Sequence, residues 1–281
     1  MNISNYLQVW LSAIRPKTLG AAVSPILIGT TMAFADGKGH ALAALAALLG
    51  ALLIQIGTNF SNDYYDYIKG ADTEERLGPV RVTQSGQVRP KTMLRNFVMV
   101  FGLATLVGIY LVFRGGWPVV IIGILSIASG ILYTGGPWPL GYLGLGDLFV
   151  LIFFGPVAVA GTFYVQALEI TPVVIFAGLG PGLLATALLA VNNLRDEPTD
   201  KKVGKLTLAV RFGQNGQLRL AFWTETHWYA CISALIIIPG FSSIRQIISG
   251  VKGSELNTTL VSTGKLILIY GILFSLGWWI G

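Results

Sequence analysis

Apolar runs recur along the whole chain, and each is close to the roughly 20 residues that a helix needs to cross a bilayer. The runs cover residues 18–35, 41–61, 93–113, 118–134, 143–165, 172–193, 217–239 and 265–281. The hydrophobic fraction of 53% exceeds that of ordinary soluble domains, and the mean hydropathy is +0.68. The sequence therefore predicts an all-α, polytopic transmembrane helical bundle with eight clear spans, built as one membrane-embedded domain over residues 1–281.

The two ends of the chain are less regular than its middle. Residues 1–17, "MNISNYLQVWLSAIRPK", are amphipathic and lack the pattern of a signal peptide, so we expect an interfacial helix before the first span. Residues 217–250 are long for one span and short for two, which leaves a ninth, broken span open. The single cysteine, Cys231, excludes an internal disulfide.

The distribution of Lys and Arg predicts the orientation of the bundle, because cytoplasmic loops of membrane proteins are enriched in both. Basic residues gather before the first span, in the second loop and in the sixth loop, whereas only Lys38 and Arg114 fall on the opposite side of the first six spans. The net charge of +6 thus reflects topology rather than nucleic-acid binding. We expect a cytoplasmic N-terminus in a cell inner (plasma) membrane, since no organelle-targeting pattern is evident.

Two polar segments interrupt this apolar chain, and both follow an apolar run on the predicted cytoplasmic side. They are "NFSNDYYDYIKGAD", residues 59–72, and "NNLRDEPTD", residues 192–200. The candidate ligands are Asn62, Asp63, Asp66 and Asp72 in the first segment and Asn192, Asp196 and Asp200 in the second. Residues three and four apart share a helix face, so each segment presents a ridge of oxygen ligands at the end of a span, and Gly70 is a plausible helix stop.

Carboxylates gathered in this way repel one another unless a cation neutralises them. No His or Cys lies among them, so Mg²⁺ is the metal that fits best, and Mg²⁺ typically takes one or two carboxylates, waters and phosphate oxygens. Basic residues next to the acids are suited to an anion: Lys69, Arg81, Arg195, Lys202 and Lys205. The pattern predicts a metal-bridged diphosphate site, and its place at a membrane rim suits a lipid with a diphosphate head.

If that lipid is allylic, metal and basic residues can draw off the diphosphate and leave a carbocation that needs a water-poor, electron-rich pocket. Tyr133 is the best candidate ring, because it ends the fourth span beside the glycine-rich loop "YTGGPWPLGYLGLGD", residues 133–147. The alternative for Tyr133 is that it anchors the chain at the membrane interface, as tyrosines often do. The loop itself is either a plain turn between two spans or a lid over the opening of the diphosphate site.

Five segments together resemble the UbiA superfamily of membrane prenyltransferases, and within it the branch that acts on 1,4-dihydroxy-2-naphthoate. They are "NDYYDYIKGAD", "GPVRVTQSGQV", "YTGGPWPLGYLGLGD", "FFGPVAVAGTFYVQ" and "NNLRDEPTDKKVGKLTLAVRFG", within residues 10–215. The resemblance implies nine spans around a central cavity, with two aspartate motifs facing it. Trp138 departs from the pattern, since relatives often have Lys at this loop position, and residues 217–250 are shorter than two family spans require.

The resemblance also implies roles for individual residues. Asp66, Asp196 and Tyr133 are expected to be catalytic, and the metal site is expected at Asn62, Asp63, Asp66, Asp72, Asn192, Asp196 and Asp200. Arg81 and Lys205 match basic positions near the diphosphate, to which the charge pattern adds Lys69. Arg15 matches a position near the aromatic acceptor.

The implied reaction is Mg²⁺-dependent transfer of a polyprenyl group from polyprenyl diphosphate to 1,4-dihydroxy-2-naphthoate. Diphosphate and CO₂ are lost, and demethylmenaquinone forms on the route to menaquinone. No protein partner is evident. The alternatives are another acceptor or donor of the ubiquinone, phylloquinone or tocopherol type, phosphatidyl-group transfer, and cation-coupled transport, whose carboxylates are expected nearer the bilayer midplane.

Overall fold

The computed structural model describes residues 3–71, 78, 81–212, 246–247, 251 and 253–280 of the chain. Every long element in these ranges is a helix, which confirms the all-α prediction. The helices are α1 (Ile3–Ile14), α2 (Pro16–Ala35), α3 (Ala41–Ile68), α4 (Pro90–Gly115), α5 (Trp117–Leu132), α6 (Gly146–Phe153), α7 (Pro156–Ala167), α8 (Pro172–Ala177), α9 (Leu179–Lys202) and α10 (Leu256–Ile280).

Six stretches in the described ranges are long and apolar enough to cross a membrane. They are Pro16–Ala35, Ala41–Ile68, Pro90–Gly115, Gly146–Ala167, Pro172–Lys202 and Gly253–Ile280. The helix α5 is apolar but shorter, with 16 residues. Seven of the eight predicted spans are therefore found as helices, and the eighth, residues 217–239, lies outside the described residues, as does the question of a ninth.

Two of these spans contain a break that the hydropathy pattern does not reveal. The first is at Gly155, between α6 and α7, and the second is at Gly178, between α8 and α9. A Cβ atom at Gly155 would lie 2.7 Å from the carbonyl oxygen of Gly178, and one at Gly178 would lie 2.5 Å from Cα of Pro156. The two breaks thus pack directly on each other, a backbone approach that only glycine permits.

The two helices that carry the polar segments run further than their apolar spans. The helix α3 continues past residue 61 to Ile68, and α9 continues past residue 193 to Lys202 with Pro198 inside it. Gly70 has φ +66°, and the N–H of Ala71 donates to the carbonyl of Asp66, so the predicted helix stop at Gly70 is confirmed. Each aspartate segment is therefore held on a rigid helix end.

The helix α2 is central to the bundle, because it packs on α3, α7 and α10. Its buried Ile28 and Met32 join Val159 and Phe163 of α7 in one core cluster, which Tyr270 of α10 completes. This packing fixes the positions of the helices next to α3 and α9, and so the positions of the polar ends of α3 and α9.

The closest approach of α2 to α7 gives a stability prediction. A Cβ atom at Gly29 would lie 2.5 Å from the carbonyl oxygen of Val159 and 3.0 Å from Cβ of Thr162. We expect Gly29→Ala to push the helices apart and to cost about 1–3 kcal/mol, measured as a lower melting temperature in detergent. Gly102→Ala in α4 is the matched control, because a Cβ atom there meets nothing within 4 Å. Equal melting temperatures would contradict this packing.

Candidate active site

A cavity of about 790 Å³ lies inside the bundle, and it is lined by residues of α2, α3, α4, α5, α6, α7 and α9. Its lining on α3 runs from Ala47 to Asp66, which is about 28 Å of helix and close to the thickness of a hydrocarbon core. The lining at one end is polar, and at the other end it is aliphatic. The polar end is formed by Arg15, Asn59, Asn62, Asp66, Arg81, Tyr133, Thr134, Asn192, Asn193, Asp196 and Lys205.

Asp66 lines this polar end and is buried. Nη2 of Arg81 donates to Oδ2 of Asp66 at 2.9 Å, and both side chains are nearly inaccessible. Oδ1 of Asp66 is buried and has no hydrogen-bond partner among the described residues. The pair therefore places a positive charge next to a carboxylate oxygen that has no hydrogen-bond partner among the described residues, at the polar end of the cavity (the mouth).

Asp63 takes a different position from Asp66, although both lie on α3. Its Oδ1 accepts a hydrogen bond from the backbone N–H of Thr83 at 3.0 Å, and the residue is only 1% exposed. It does not contribute to the cavity lining, so its carboxylate anchors the turn that carries Arg81. Asp72 lies outside the described residues.

The two asparagines of α3 connect the mouth to neighbouring segments. Oδ1 of Asn62 accepts from the hydroxyl of Thr134 at 2.9 Å, which ties α3 to the loop after α5. Nδ2 of Asn59 donates to the carbonyl of Ile14 at 2.8 Å and to Thr18 at 3.1 Å. These bonds hold the junction of α1 and α2, where Arg15 has φ +56° and lines the cavity.

A buried arginine organises the second segment. Nε and Nη2 of Arg195 donate to the two oxygens of Asp196 at 2.8 and 2.6 Å, and Nη2 also donates to Oδ1 of Asn192 at 2.6 Å. Nη1 of Arg195 donates to Oδ1 of Asn257 in α10 at 3.0 Å. Arg195 thus orients two predicted ligands and joins α9 to α10. The sequence predicted it only as one of the basic residues suited to an anion, and Asn257 was not among the expected site residues.

The chain turns after α9 and brings Lys205 back to the polar end of the cavity. Gly204 has φ +71°, and the N–H of Lys205 donates to the carbonyl of Asp200 at 2.9 Å, which is a glycine helix cap. Nζ of Lys205 then lies 3.4 Å from Oδ1 of Asp200. Oδ2 of Asp200 is buried and has no hydrogen-bond partner among the residues that the structure describes.

Tyr133 lines the cavity at the start of the loop between α5 and α6, residues 133–145. A Cβ atom at Gly141 would lie 3.3 Å from its ring, and one at Gly146 would lie 3.0 Å from it, so both positions leave room for the ring edge. Burial raises the pKa of the Tyr133 phenol, and the carboxylates of Asp147, Asp200 and Asp66 raise it further. This direction of shift favours the neutral phenol, which is the form a tyrosine already has near pH 7.

Lys69 lies at the end of α3, just outside the cavity lining. Its Nζ donates to the carbonyl of Gly136 in the loop at 3.2 Å. Partial burial lowers the pKa of Lys69, and the negative charge of Asp66 offsets part of this shift. Lys69 thus joins α3 to the loop on the same side as the aspartates.

The polar end is suited to a hard cation that protein groups and a ligand bind together. It is less suited to a metal ion held by protein groups alone. In the described ranges, no three Asp, Glu, His or Cys side chains converge as a preformed metal site. Each cavity-lining aspartate instead pairs with an arginine, while Asp66 and Asp200 each keep one buried carboxylate oxygen that has no hydrogen bond to any described residue. An all-oxygen donor set with few carboxylates is the kind that Mg²⁺ uses together with phosphate.

Comparison with known proteins agrees with this geometry. The sequence pattern of the UbiA prenyltransferase family matches residues 22–251. The chain is 44% identical to 1,4-dihydroxy-2-naphthoate octaprenyltransferase from Escherichia coli (strain K12), over 74% of this chain and 69% of that protein. It is 36% identical to the protein of the same name from Mycobacterium tuberculosis (strain ATCC 25618 / H37Rv), over 94% of each.

Solved structures share the fold at low sequence identity. One is a UbiA homolog from Archaeoglobus fulgidus bound to DMAPP and Mg²⁺, with a TM-score of 0.57 and 16% identity over 95% of this chain and 85% of that chain. Another is a digeranylgeranylglyceryl phosphate synthase, with the same TM-score and identity over 98% of this chain and 99% of that one. The chain belongs to the UbiA prenyltransferase family and is a multi-pass membrane prenyltransferase.

Proposed function

We propose that the chain transfers a polyprenyl group from polyprenyl diphosphate to 1,4-dihydroxy-2-naphthoate, with loss of diphosphate and CO₂, to give demethylmenaquinone. The observation that carries this proposal is that Asp66 and Asp196, from distant parts of the sequence, line the same polar end of one cavity. The remainder of that cavity is mostly aliphatic, as a prenyl chain requires. The names of the relatives support the naphthoate acceptor.

The proposed site lies at the cytoplasmic face of a cell membrane. The basic residues Arg81, Arg195 and Lys205 surround the polar end, whereas Arg114 lies at the other end of the bundle, on the carbonyls of Val165 and Gln166. Because cytoplasmic ends carry the excess of basic residues, this distribution supports a cytoplasmic mouth and N-terminus.

The oxygens of Asp66 and Asp196, together with Asn62 and Asn192, are the groups proposed to hold Mg²⁺ and the donor diphosphate, with Asp200 beside them. When bound, Mg²⁺ draws electron density from the diphosphate and so favours its departure. Arg81 and Lys205 supply fixed positive charge for the same anion at the cavity wall. The allylic carbon–oxygen bond breaks with its electron pair on the diphosphate, and the electron-rich ring of the acceptor forms the new carbon–carbon bond. The bond between the ring and its carboxylate then breaks, CO₂ leaves, and the electron pair of that bond restores the aromatic ring.

The protein's second task is to protect the allylic cation from water. The aliphatic walls of α4 and α5 exclude solvent from the donor tail. Tyr133 contributes a neutral ring at the boundary between polar and aliphatic lining, where its face can stabilise positive charge. Arg15, at the start of α2, is placed to meet the carboxylate of the acceptor.

An assay with competing substrates tests this function. The purified chain in lipid is incubated with Mg²⁺, a mixture of prenyl diphosphates including phytyl diphosphate, and equal amounts of dihydroxynaphthoate, 4-hydroxybenzoate and homogentisate. We expect polyprenylated naphthoate that has lost CO₂, identified by mass, and no product after chelation of Mg²⁺. Product from another acceptor alone, or product without Mg²⁺, would contradict the proposal.

The aliphatic end of the cavity predicts which residues limit the donor chain. Val119 and Val165 line this end and belong to a buried cluster, over which Arg114 binds the carbonyl of Val165 at 2.6 Å. We expect the larger side chain in Val119→Phe to fill the aliphatic end of the cavity. The ratio of kcat/KM for the longest donor to kcat/KM for a short donor should then fall about tenfold or more. Ile121→Phe is the control on the same helix, because Ile121 is 56% exposed and does not line the cavity. An unchanged ratio in Val119→Phe would contradict this assignment.

A further inference from the structure

The loop of residues 133–145 contains no basic residue, yet two lysines from other segments lie on it. Nζ of Lys69 is 4.9 Å from the centroid of the Tyr142 ring, and Nζ of Lys205 is 5.7 Å from it. Both distances are within the about 6 Å at which an aromatic face attracts a cation. Lys69 belongs to the first polar segment, and Lys205 follows the second, so the ring of Tyr142 lies close to one lysine from each of these two regions.

The ring of Tyr142 is a fixed platform, because its backbone is held from a neighbouring segment. The N–H of Leu206 donates to the carbonyl of Tyr142 at 3.0 Å, and Nη2 of Arg211 donates to the carbonyl of Leu143 at 3.0 Å. On the other side, Lys69 donates to the carbonyl of Gly136. The loop is thus bound on one side to the end of α3 and on the other side to the segment that follows α9.

A ring fixed in this way can lower the cost of holding two lysine side chains in one place. A lysine side chain loses much conformational freedom when it is held in one place, and two nearby ammonium groups repel each other. The negative face of a ring offsets part of both costs. Lys205 lines the cavity, and Lys69 lies three residues after Asp66, so both held ammonium groups are beside the aspartates.

We propose that Tyr142 is a positioning residue for the donor: its ring holds Lys69 and Lys205 at the mouth, so that they bind the diphosphate of the prenyl donor. This inference rests on the proposed function, because it requires a donor diphosphate at the polar end of the cavity. It assigns to Tyr142 no contact with the acceptor ring.

Three variants of the full chain in lipid test the role of the ring. Tyr142→Leu removes the aromatic face, Tyr142→Phe keeps it without the hydroxyl, and Trp138→Leu removes a ring that is 76% exposed on the same loop. We expect Tyr142→Leu to raise KM for the prenyl diphosphate about fivefold, with KM for dihydroxynaphthoate unchanged. Tyr142→Phe and Trp138→Leu should keep a donor KM near that of the unchanged chain.

A double-mutant cycle separates positioning from a structural role. Binding of a prenyl thiodiphosphate, which does not react, is measured for Tyr142→Leu alone and in a Lys69→Gln, Lys205→Gln background. If the ring acts through the lysines, the loss caused by Tyr142→Leu disappears in that background. Equal binding by Tyr142→Leu and Tyr142→Phe, or an undiminished loss without the lysines, would overturn the inference. The proposed function fails separately, if the unchanged chain does not prenylate dihydroxynaphthoate.

Discussion

Replacing either Asp66 or Asp196 by asparagine is expected to abolish Mg²⁺-dependent prenyl transfer. Asparagine has nearly the same shape and keeps an oxygen for Arg81 or Arg195, but it lacks the negative charge that binds a divalent cation. A metal contributes several kcal/mol to stabilising charge in a transition state, so kcat should fall by at least about 10³-fold. The measurement is the rate of prenylated naphthoate formation in lipid, with the melting temperature as a check on folding.

Glu197→Gln is the matched control for this prediction. Glu197 follows Asp196 directly in α9 but does not line the cavity. Its replacement removes one negative charge from the same helix turn and should leave kcat within about twofold, because Glu197 is only half-buried and lies away from the cavity lining. Full activity in Asp66→Asn or in Asp196→Asn would contradict the assignment of these carboxylates.

Arg195→Met is expected to produce the largest loss of stability. Arg195 is 2% exposed and binds both oxygens of Asp196, so its removal leaves a buried carboxylate without its cation. Breaking a buried pair in this way costs about 3–5 kcal/mol. The free energy of unfolding in detergent should fall by this amount, and the contact with Asn257 of α10 is lost as well.

Two further variants separate charge from shape at this position. Arg195→Lys keeps the positive charge but not the planar fork, so we expect a loss between those of the unchanged chain and Arg195→Met. Adding Asp196→Asn to Arg195→Met removes the uncompensated charge and should restore part of the stability. A double variant that is as unstable as Arg195→Met would show that the charge is not the cause.

The spans and the polar ends were predictable because their signals are local. Apolar runs of bilayer length mark the helices, and Gly70 marks the end of α3. The asymmetry of Lys and Arg placed both aspartate segments on one side of the membrane, which agrees with Asp66 and Asp196 lining one end of the cavity. The breaks at Gly155 and Gly178 were missed, since they depend on contact between two spans rather than on either sequence.

The roles within α3 show the limit of spacing arguments. Asn62 and Asp66 are separated by about 40° around the helix, whereas Asn62 and Asp63 are about 100° apart. All three were predicted to share one site, but only Asn62 and Asp66 line the cavity, while Asp63 accepts from Thr83. Spacing alone does not give the rotation of a helix against its neighbours, so it could not separate them.

The sequence predicted that Arg195 is one of the basic residues suited to an anion, but not that its side chain binds Asp196 and Asn192. Adjacent residues on a helix do not face each other, so the spacing rule places Arg195 and Asp196 apart. The arginine side chain is long enough to fold back, and burial against Asn257 favours that conformation. The sequence signal was present as a basic residue between two predicted ligands, Asn192 and Asp196, at the point where the apolar part of the helix ends.

The central claim, that Asp66 and Asp196 share one metal-bound diphosphate, is tested most directly by spectroscopy of the metal itself. Mn²⁺ replaces Mg²⁺ in the purified chain together with a prenyl thiodiphosphate, and the magnetic coupling between Mn²⁺ and the phosphorus nuclei is recorded. We expect a clear coupling in the unchanged chain and in Glu197→Gln, and its loss in both Asp66→Asn and Asp196→Asn. A coupling that persists in either aspartate variant would contradict the shared site.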